Sequence, residues 1–366
     1  MILIFGACLV LCPLAIASAE DPRTSAPFLL VANTDRPSVS VSRVAPDGSL
    51  SQVAGSPFST PNRPSELLMM GEFLLVANSG SGAGSNSLST FRYDDSTGRL
   101  TQARTLPLGS DVPQVLSGIP VDDRTVVFAQ GLDGVLKCFH LDPAGGSLTE
   151  TDSVAISGSG TNDTTVARGA NGHPSFVLAS NTETNDISVY LVDPARGTLT
   201  EVPGSPFPNP QAGDMPGSIF SIEGNVYITN QVANSISRLL VDPATGNLTP
   251  LGMTPCGGVK PGGMTTLVAP SGSRTLYVCN SGSSSISAFD IGARGELLPV
   301  SGFPIPAGGN DPREFSILTL ENGRVVLYVS TSEQVFGFDL DLSTRFLMPL
   351  ASSPFGGFSS PNAMSH

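Results

Sequence analysis

One tetrapeptide of this 366-residue chain combines side chains suited to acyl chemistry, Asp311-Pro312-Arg313-Glu314. The Arg313 guanidinium presents N–H donors in a planar fork, which fits a carboxylate or a developing oxyanion. A glutamate held dry beside it, Glu314, can act as general base, an effect of roughly 10²–10⁴-fold in rate. Glu66 and Lys260 supply a second carboxyl group and a second cation. Arg313, Glu314 and Glu66 are therefore the catalytic candidates. Asp311, Lys260, Gln114, Arg63 and Asn362 are the candidate ligand-binding residues. The competing reading is that all of these are solvated side chains at a wet rim, with no function to explain. Asp111, Asp163, Asp214 and Asp311 have the chemistry to hold a hard cation, but no Asp-rich calcium loop is present and no metal site is assigned.

Other catalytic motifs are missing. The chain has no Gly-x-Ser-x-Gly elbow, no P-loop and no His-Glu-x-x-His. The Gly/Ser run at 80–84 is a flexible loop rather than a phosphate cradle, because no helix pattern follows it. No cofactor is expected. His140 falls in a strand pattern, His173 in a turn and His366 at the terminus, so none is placed as a base. With no Trp and 6 % aromatic residues, a stacking platform for sugars is disfavoured.

The elements that position these residues follow from composition and repetition. Gly 40 and Pro 31 against 13 % charged residues imply many tight turns between short strands. Residues 1–19 carry no charged side chain and end in Ala17-Ser18-Ala19, the pattern of a cleaved export signal. Residues 20–27 then form a short linker, and 28–366 a single repeat domain. The net charge of −13 repels phosphate backbones and anionic lipid, which excludes nucleic acid and the membrane surface as partners. A secreted (or, in a bacterium, periplasmic) monomer is expected. Cys138, Cys256 and Cys279 remain after removal of the signal, an odd number that leaves at most one bridge, Cys256–Cys279. Asn162 and Asn247 begin glycosylation sequons.

One short apolar strand recurs seven times: 29–33 (LLVAN), 74–78 (LLVAN), 126–130 (VVFAQ), 177–181 (VLASN), 226–230 (VYITN), 276–280 (LYVCN) and 327–331 (LYVST). The copies are 45 to 52 residues apart, the period of a four-stranded propeller blade. The terminal Asn recurs, so it reads as framework; Cys279 occupies a position held elsewhere by Ala32, Ala77, Ala129, Ser180, Thr229 and Ser330. An alternating strand follows each copy, then an Asp-Pro-x-x-Gly type of turn and an outer strand often ending in Ser-Pro-Phe. The final strand of each unit starts after Pro64, Pro113, Pro216, Pro261, Pro312 or Pro361, with Thr164-Thr165 in the remaining unit. This last series is out of phase with the first: the C-terminal segment 360–366 has no strand after it, and the first LLVAN has none before it. The C-terminal strand must therefore complete the first blade, closing a seven-bladed, all-β propeller and removing an open edge.

The LYVCN strand, the DPARGTLT and DPATGNLT turns and the PGSPF endings resemble the YVTN-repeat and lactonase-type seven-bladed propellers, which include 6-phosphogluconolactonase-like and 3-carboxymuconate-cyclase-like proteins. The resemblance implies a site at the mouth of the central channel built from His, Glu and Arg. Here the residues after the six prolines are Ser65, Gln114, Gly217, Gly262, Arg313 and Asn362, with no histidine among them. Only Arg313, Glu314 and Glu66 carry over. Two readings stand: a lactonase or lactonising enzyme acting on a small organic acid, and a non-catalytic propeller that binds a small anion or an extracellular protein.

Overall fold

The computed structural model describes residues 27–80, 85–121, 124–157, 161–169, 174–210 and 215–365. The export signal, Asp214, His173 and His366 lie outside these residues. Every regular element among them is a strand, and the strands form seven antiparallel sheets. Blade 1 is closed as the repeat phase requires. Its sheet runs Leu50–Gln52, Ser38–Val44, Phe28–Asn33 and then Pro361–Ser365, with Met364 opposite Val31. The inner strands of blades 2 to 7 are Arg63–Met70, Pro113–Val121, Thr161–Ala167, Pro216–Ile222, Pro261–Val268 and Phe315–Thr319. Each touches the next around the whole ring, with Pro361–Ser365 completing the circle.

Two inner strands start elsewhere than expected. In blade 4 the strand begins at Thr161, ahead of Thr164-Thr165, and in blade 7 it begins at Phe315, beyond Pro312. Blades 1, 4 and 6 gain a two-residue fifth strand, Phe58–Ser59, Phe207–Pro208 and Ile305–Pro306. In blades 1 and 4 the Ser-Pro-Phe ending builds this edge, the Ser56 and Ser205 hydroxyls accepting from the backbone amides of Val41 and Val189 at 2.9 and 3.0 Å; in blade 7 the same ending makes a single bridge, Phe355 to Val335, with Ser353 accepting from the Gly337 amide at 3.1 Å.

No blade has a core of its own. The buried apolar residues fall into seven clusters, each shared by two neighbouring blades. Val126 and Phe128 of blade 3 pack with Val177 and Ala179 of blade 4, for example, while Val127 and Ala129 pack with Leu75 and Ala77 of blade 2. Alternation along each strand thus sends successive residues to different interfaces, and the strand reads as a continuous apolar run.

The recurring Asn is framework. Asn33 donates to the hydroxyls of Ser38 and Ser40, Asn230 to Ser235 and Ser237, and Asn280 to Ser285 and Ser287, all between 2.8 and 3.2 Å. Blade 3 departs from the sequence alignment by one residue. Gly131, not Gln130, lies opposite Pro113 as Asn78 lies opposite Pro64, so Gln130 and not Ala129 occupies the small-residue position. The expected equivalence fails because a strand buried on both faces has no polar alternation to fix its parity. The three cysteines are buried and free, so Cys256 and Cys279 form no bridge. The Cys256 thiol lies 3.0 Å from Asn280 Oδ1, and burial pushes its pKa up to about 11.

Three buried tyrosines clasp the following blade. Tyr227 donates to the Gly295 carbonyl at 2.6 Å, Tyr277 to Arg345 at 3.2 Å and Tyr328 to Gly48 at 2.7 Å. The last of these joins blade 7 to blade 1. Gly48 has φ +81°, a conformation that L side chains rarely adopt, and a Cβ there would lie 2.7 Å from Leu350. Tyr328→Phe should cost about 1 kcal/mol in urea unfolding, the worth of one buried hydrogen bond. Deleting residues 361–366 removes the buried Ala363 and Met364 along with a whole ladder. That truncation should cost roughly 3 kcal/mol or more, and a wild-type Tm for it would contradict closure by this strand.

Candidate functional site

The inner strands begin at the mouth of the channel, and a register shift marks the start of six of them, between Pro64 and Glu66 in blade 2 and at matching points in blades 1, 3, 4, 5 and 6. A bulge of this kind re-aims side chains, and here it acts in six of the seven blades around a common axis. Two rings of positions result. One residue past the proline stand Ser65, Gln114, Gly217, Gly262, Arg313 and Asn362, with Asn162 at the matching place in blade 4. One residue further stand Glu66, Val115, Asp163, Ser218, Gly263, Glu314 and Ala363.

The outer of these rings forms a polar belt. Arg313, whose side chain is 23 % exposed, reaches Asp311 Oδ2 through Nε at 3.2 Å and Nη2 at 3.1 Å, and Asn362 Oδ1 through Nη1 at 3.4 Å. Asn362 in turn donates to the Ser65 carbonyl at 2.9 Å. The Ser65 and Ser79 hydroxyls both donate to the Pro113 carbonyl, and Gln114 donates to Ser79 at 2.9 Å. Blades 7, 1, 2 and 3 are thus tied through consecutive polar groups. Next to this arc, in blade 6, a Cβ at Gly262 would meet open space.

The inner ring holds three buried carboxyl groups: Glu66 at 0 % exposure, Asp163 at 0 % and Glu314 at 1 %. Asp163 is well satisfied, accepting from the Thr164 amide at 2.7 Å and from the Ser218 hydroxyl and Ile219 amide of blade 5 at 3.0 and 2.9 Å. A Cβ at Gly263 would lie 2.1 Å from the Arg313 carbonyl oxygen and 3.0 Å from Glu314 Oε1, so the glycine makes room for the backbone of blade 7. Glu66 accepts one bond from the Leu67 amide at 3.2 Å, and its Oε2 has no partner among the described residues. Burial, then the negative charges of Glu314 and Asp163, raises the Glu66 pKa well above the usual glutamate value of 4.5. Glu66 therefore retains a proton at pH values where an ordinary glutamate has lost it.

The remaining sequence candidates are scattered. Arg63 turns to the rim, 3.9 Å from Asp35, and Nε donates to the Thr34 carbonyl. Lys260 has φ +55°, with its amide on Asn234 Oδ1 at 2.7 Å and its carbonyl accepting from Ser281 at 3.0 Å. Asp111 pairs with Lys137 at 3.1 Å, beside a cavity of about 10 Å³ lined also by Gly131 and Asp133, and Asp133 Oδ1 stands 2.4 Å from where a Cβ at Gly131 would lie. Asp111, Asp163 and Asp311 are thus engaged separately, and no cluster of three or more His, Cys, Asp or Glu among the described residues is arranged to hold a metal. His140 sits away from the mouth, Nε2 3.1 Å from the Pro194 carbonyl in a hairpin turn. Asn247 is exposed in a turn on the face opposite the mouth. Sequence reasoning missed Ser65 and Ser79 as members of the belt. It placed Asp163 at the mouth and weighed it as a cation ligand, but not as a member of the ring of buried carboxyl groups that holds Glu66 and Glu314.

A family model described as lactonase, seven-bladed β-propeller, matches residues 36–167. The likeness is to lactonase-type propellers. A periplasmic gluconolactonase from Pseudomonas aeruginosa superposes with TM-score 0.75 at 21 % identity, covering 92 % of this chain and 98 % of that one. A candidate 6-phosphogluconolactonase from Bacteroides fragilis gives 0.76 at 19 %, covering 94 % and 99 %. A protein from Lactobacillus plantarum gives 0.74 at 18 %, covering 92 % and 98 %. No curated protein matches in sequence. At these identities the superpositions establish the seven-bladed propeller fold alone.

Glu66 supplies a test of the mouth's electrostatics. With its folded pKa raised, the native state binds more protons than the unfolded state above about pH 4.5, so stability falls as pH rises through that window. Glu66→Gln cannot ionise. It should raise Tm at neutral pH and flatten the decline of Tm with pH above the ordinary glutamate value; an unchanged pH profile would refute the charged-ring account.

Proposed function

We propose that this chain opens or closes the lactone of a small organic acid at the mouth of its central channel. One observation carries the reading: an accessible guanidinium, Arg313, stands one residue from a ring of buried carboxyl groups in which Glu66 retains its proton. Asp311 and Asn362 orient the guanidinium. In the hydrolytic direction, Arg313 meets the carbonyl oxygen as it becomes an oxyanion. Water adds to the carbonyl carbon and the acyl–oxygen bond of the ring breaks. Glu66 gives a proton to the departing ring oxygen, and Glu314 takes the proton lost by the attacking water. Because both carboxyl groups are closed off from solvent, these transfers run through one intervening water. Lactone formation is the same path reversed.

The fold likeness supports the choice of lactone chemistry, and the periplasmic location of the Pseudomonas relative agrees with the export pattern of residues 1–19. We therefore place the mature chain outside the cytoplasm; N-terminal sequencing of the exported form should begin at Glu20. A second reading, a binding propeller without chemistry, is favoured by the complete burial of Glu66 and Glu314 and by the absence of histidine from the mouth among the described residues.

Acid release from a panel of γ- and δ-lactones by the purified mature chain separates the two. Arg313→Ala should lower kcat/KM by about 10²–10³-fold with Tm unchanged, the loss seen when one oxyanion donor is removed. No turnover above buffer across the panel would discard the enzyme in favour of the binding propeller.

A further inference from the structure

Gln130 is the one large polar side chain at a position that is small in every other blade. Its counterparts across the ring are Ala32, Ala77, Ser180, Thr229, Cys279 and Ser330. In those blades the small residue leaves room for the next inner strand. Where it carries a hydroxyl, that group can reach across, as Ser180 donates to the Gly217 carbonyl at 2.8 Å and Ser330 to the Asn362 carbonyl at 3.3 Å. Gln130 places a full carboxamide in this slot, and the side chain faces blade 4. Phe128, Leu136 and Cys138 lie on the same face of the sheet and belong to the cluster shared with Val166, Val177 and Ala179.

Gln130 is 1 % exposed, and neither Nε2 nor Oε1 has a hydrogen-bond partner among the described residues. Shielding a polar group from water without a partner is costly, and here a donor and an acceptor of the same amide are both unsatisfied. Alanine or serine at this position, as the other blades show, would avoid that cost entirely.

We infer that the blade 3–blade 4 junction beside Gln130 is a binding site for a single hydroxyl oxygen. The chemistry selects this class. The amide needs a group that accepts from Nε2 and donates to Oε1 together, which an O–H does. A cation would engage only Oε1. An anion would engage only Nε2, next to the inner strand that carries buried Asp163. A water molecule and one hydroxyl of a polyhydroxy ligand share the required chemistry, and the site is independent of whether the mouth is catalytic.

The test is crystallographic, on the whole mature chain at a resolution that shows ordered water, with crystals grown free of polyols and others soaked in xylitol. One oxygen peak at about 2.7–3.2 Å from both Nε2 and Oε1 of Gln130 is expected in each. If that peak stands alone in both crystals the oxygen is water. If it joins continuous carbon density in the soaked crystal it belongs to the polyol. Absence of a peak in both, or a Gln130 amide bonded directly to protein groups, overturns the inference. Gln130→Met keeps the length of the side chain and removes both polar atoms, so the peak should disappear; a peak that persists in this variant also overturns it.

Discussion

Packing between blades is the constraint on which everything else rests. Each sheet is apolar on both faces and buries neither without a neighbour, so the seven clusters form a closed series in which every blade is half of two cores. A fold of this kind has no stable piece smaller than several adjacent blades. It also fixes what the centre of the ring can be. The inner strands converge with their starts together, and the residues at those starts face one another instead of facing solvent or an apolar core. The repeat can break at this place without harming an interface, which is why Arg313, Glu66 and Glu314 are found there.

Charge placement in the mouth follows a division by depth. Asp311 and Asn362 hold Arg313 at the surface, and no basic residue contributes to the environment of Glu66 below it. Asp163 is accommodated by two donors from blade 5, and Gly263 lets the Arg313 backbone carbonyl and Glu314 approach the inner strand of blade 6. Carboxyl groups so close in a dry place cannot all ionise cheaply, and Glu66, fully desolvated and facing the negative charges of Glu314 and Asp163, holds its proton.

Much of the fold was legible in the sequence because two periodic signals are offset. The apolar strand recurs seven times and so does the inner strand, six of its copies following a proline, and their phase difference dictates that Pro361–Ser365 joins Phe28–Asn33. The blade 3 register was not legible. A strand with both faces buried carries no polar alternation, so VVFAQG fits its neighbours equally well in two registers, and only the pairing of Gly131 with Pro113 decides between them. The same limit applies at the mouth. Residue types identified Arg313, Glu314 and Glu66, but the depth of Glu66 depends on the bulge between Pro64 and Glu66, and that of Arg313 and Glu314 on a strand that begins only at Phe315, neither of which proline spacing encodes. Lys260 and Arg63 share that spacing, yet Lys260 bonds the framework through its backbone and Arg63 turns outward.

Ring closure by Pro361–Ser365 also has a consequence for synthesis. The first blade to leave the ribosome is the last to be finished, because its innermost strand is made more than three hundred residues later. Until residues 361–365 emerge, blade 1 presents Leu30 and Val31 on an unpaired edge while blade 7 lacks its neighbour. Any translocation across a membrane must therefore handle a chain that has not closed, and the mouth, whose belt runs through Asn362, comes into being only when the two ends of the propeller meet.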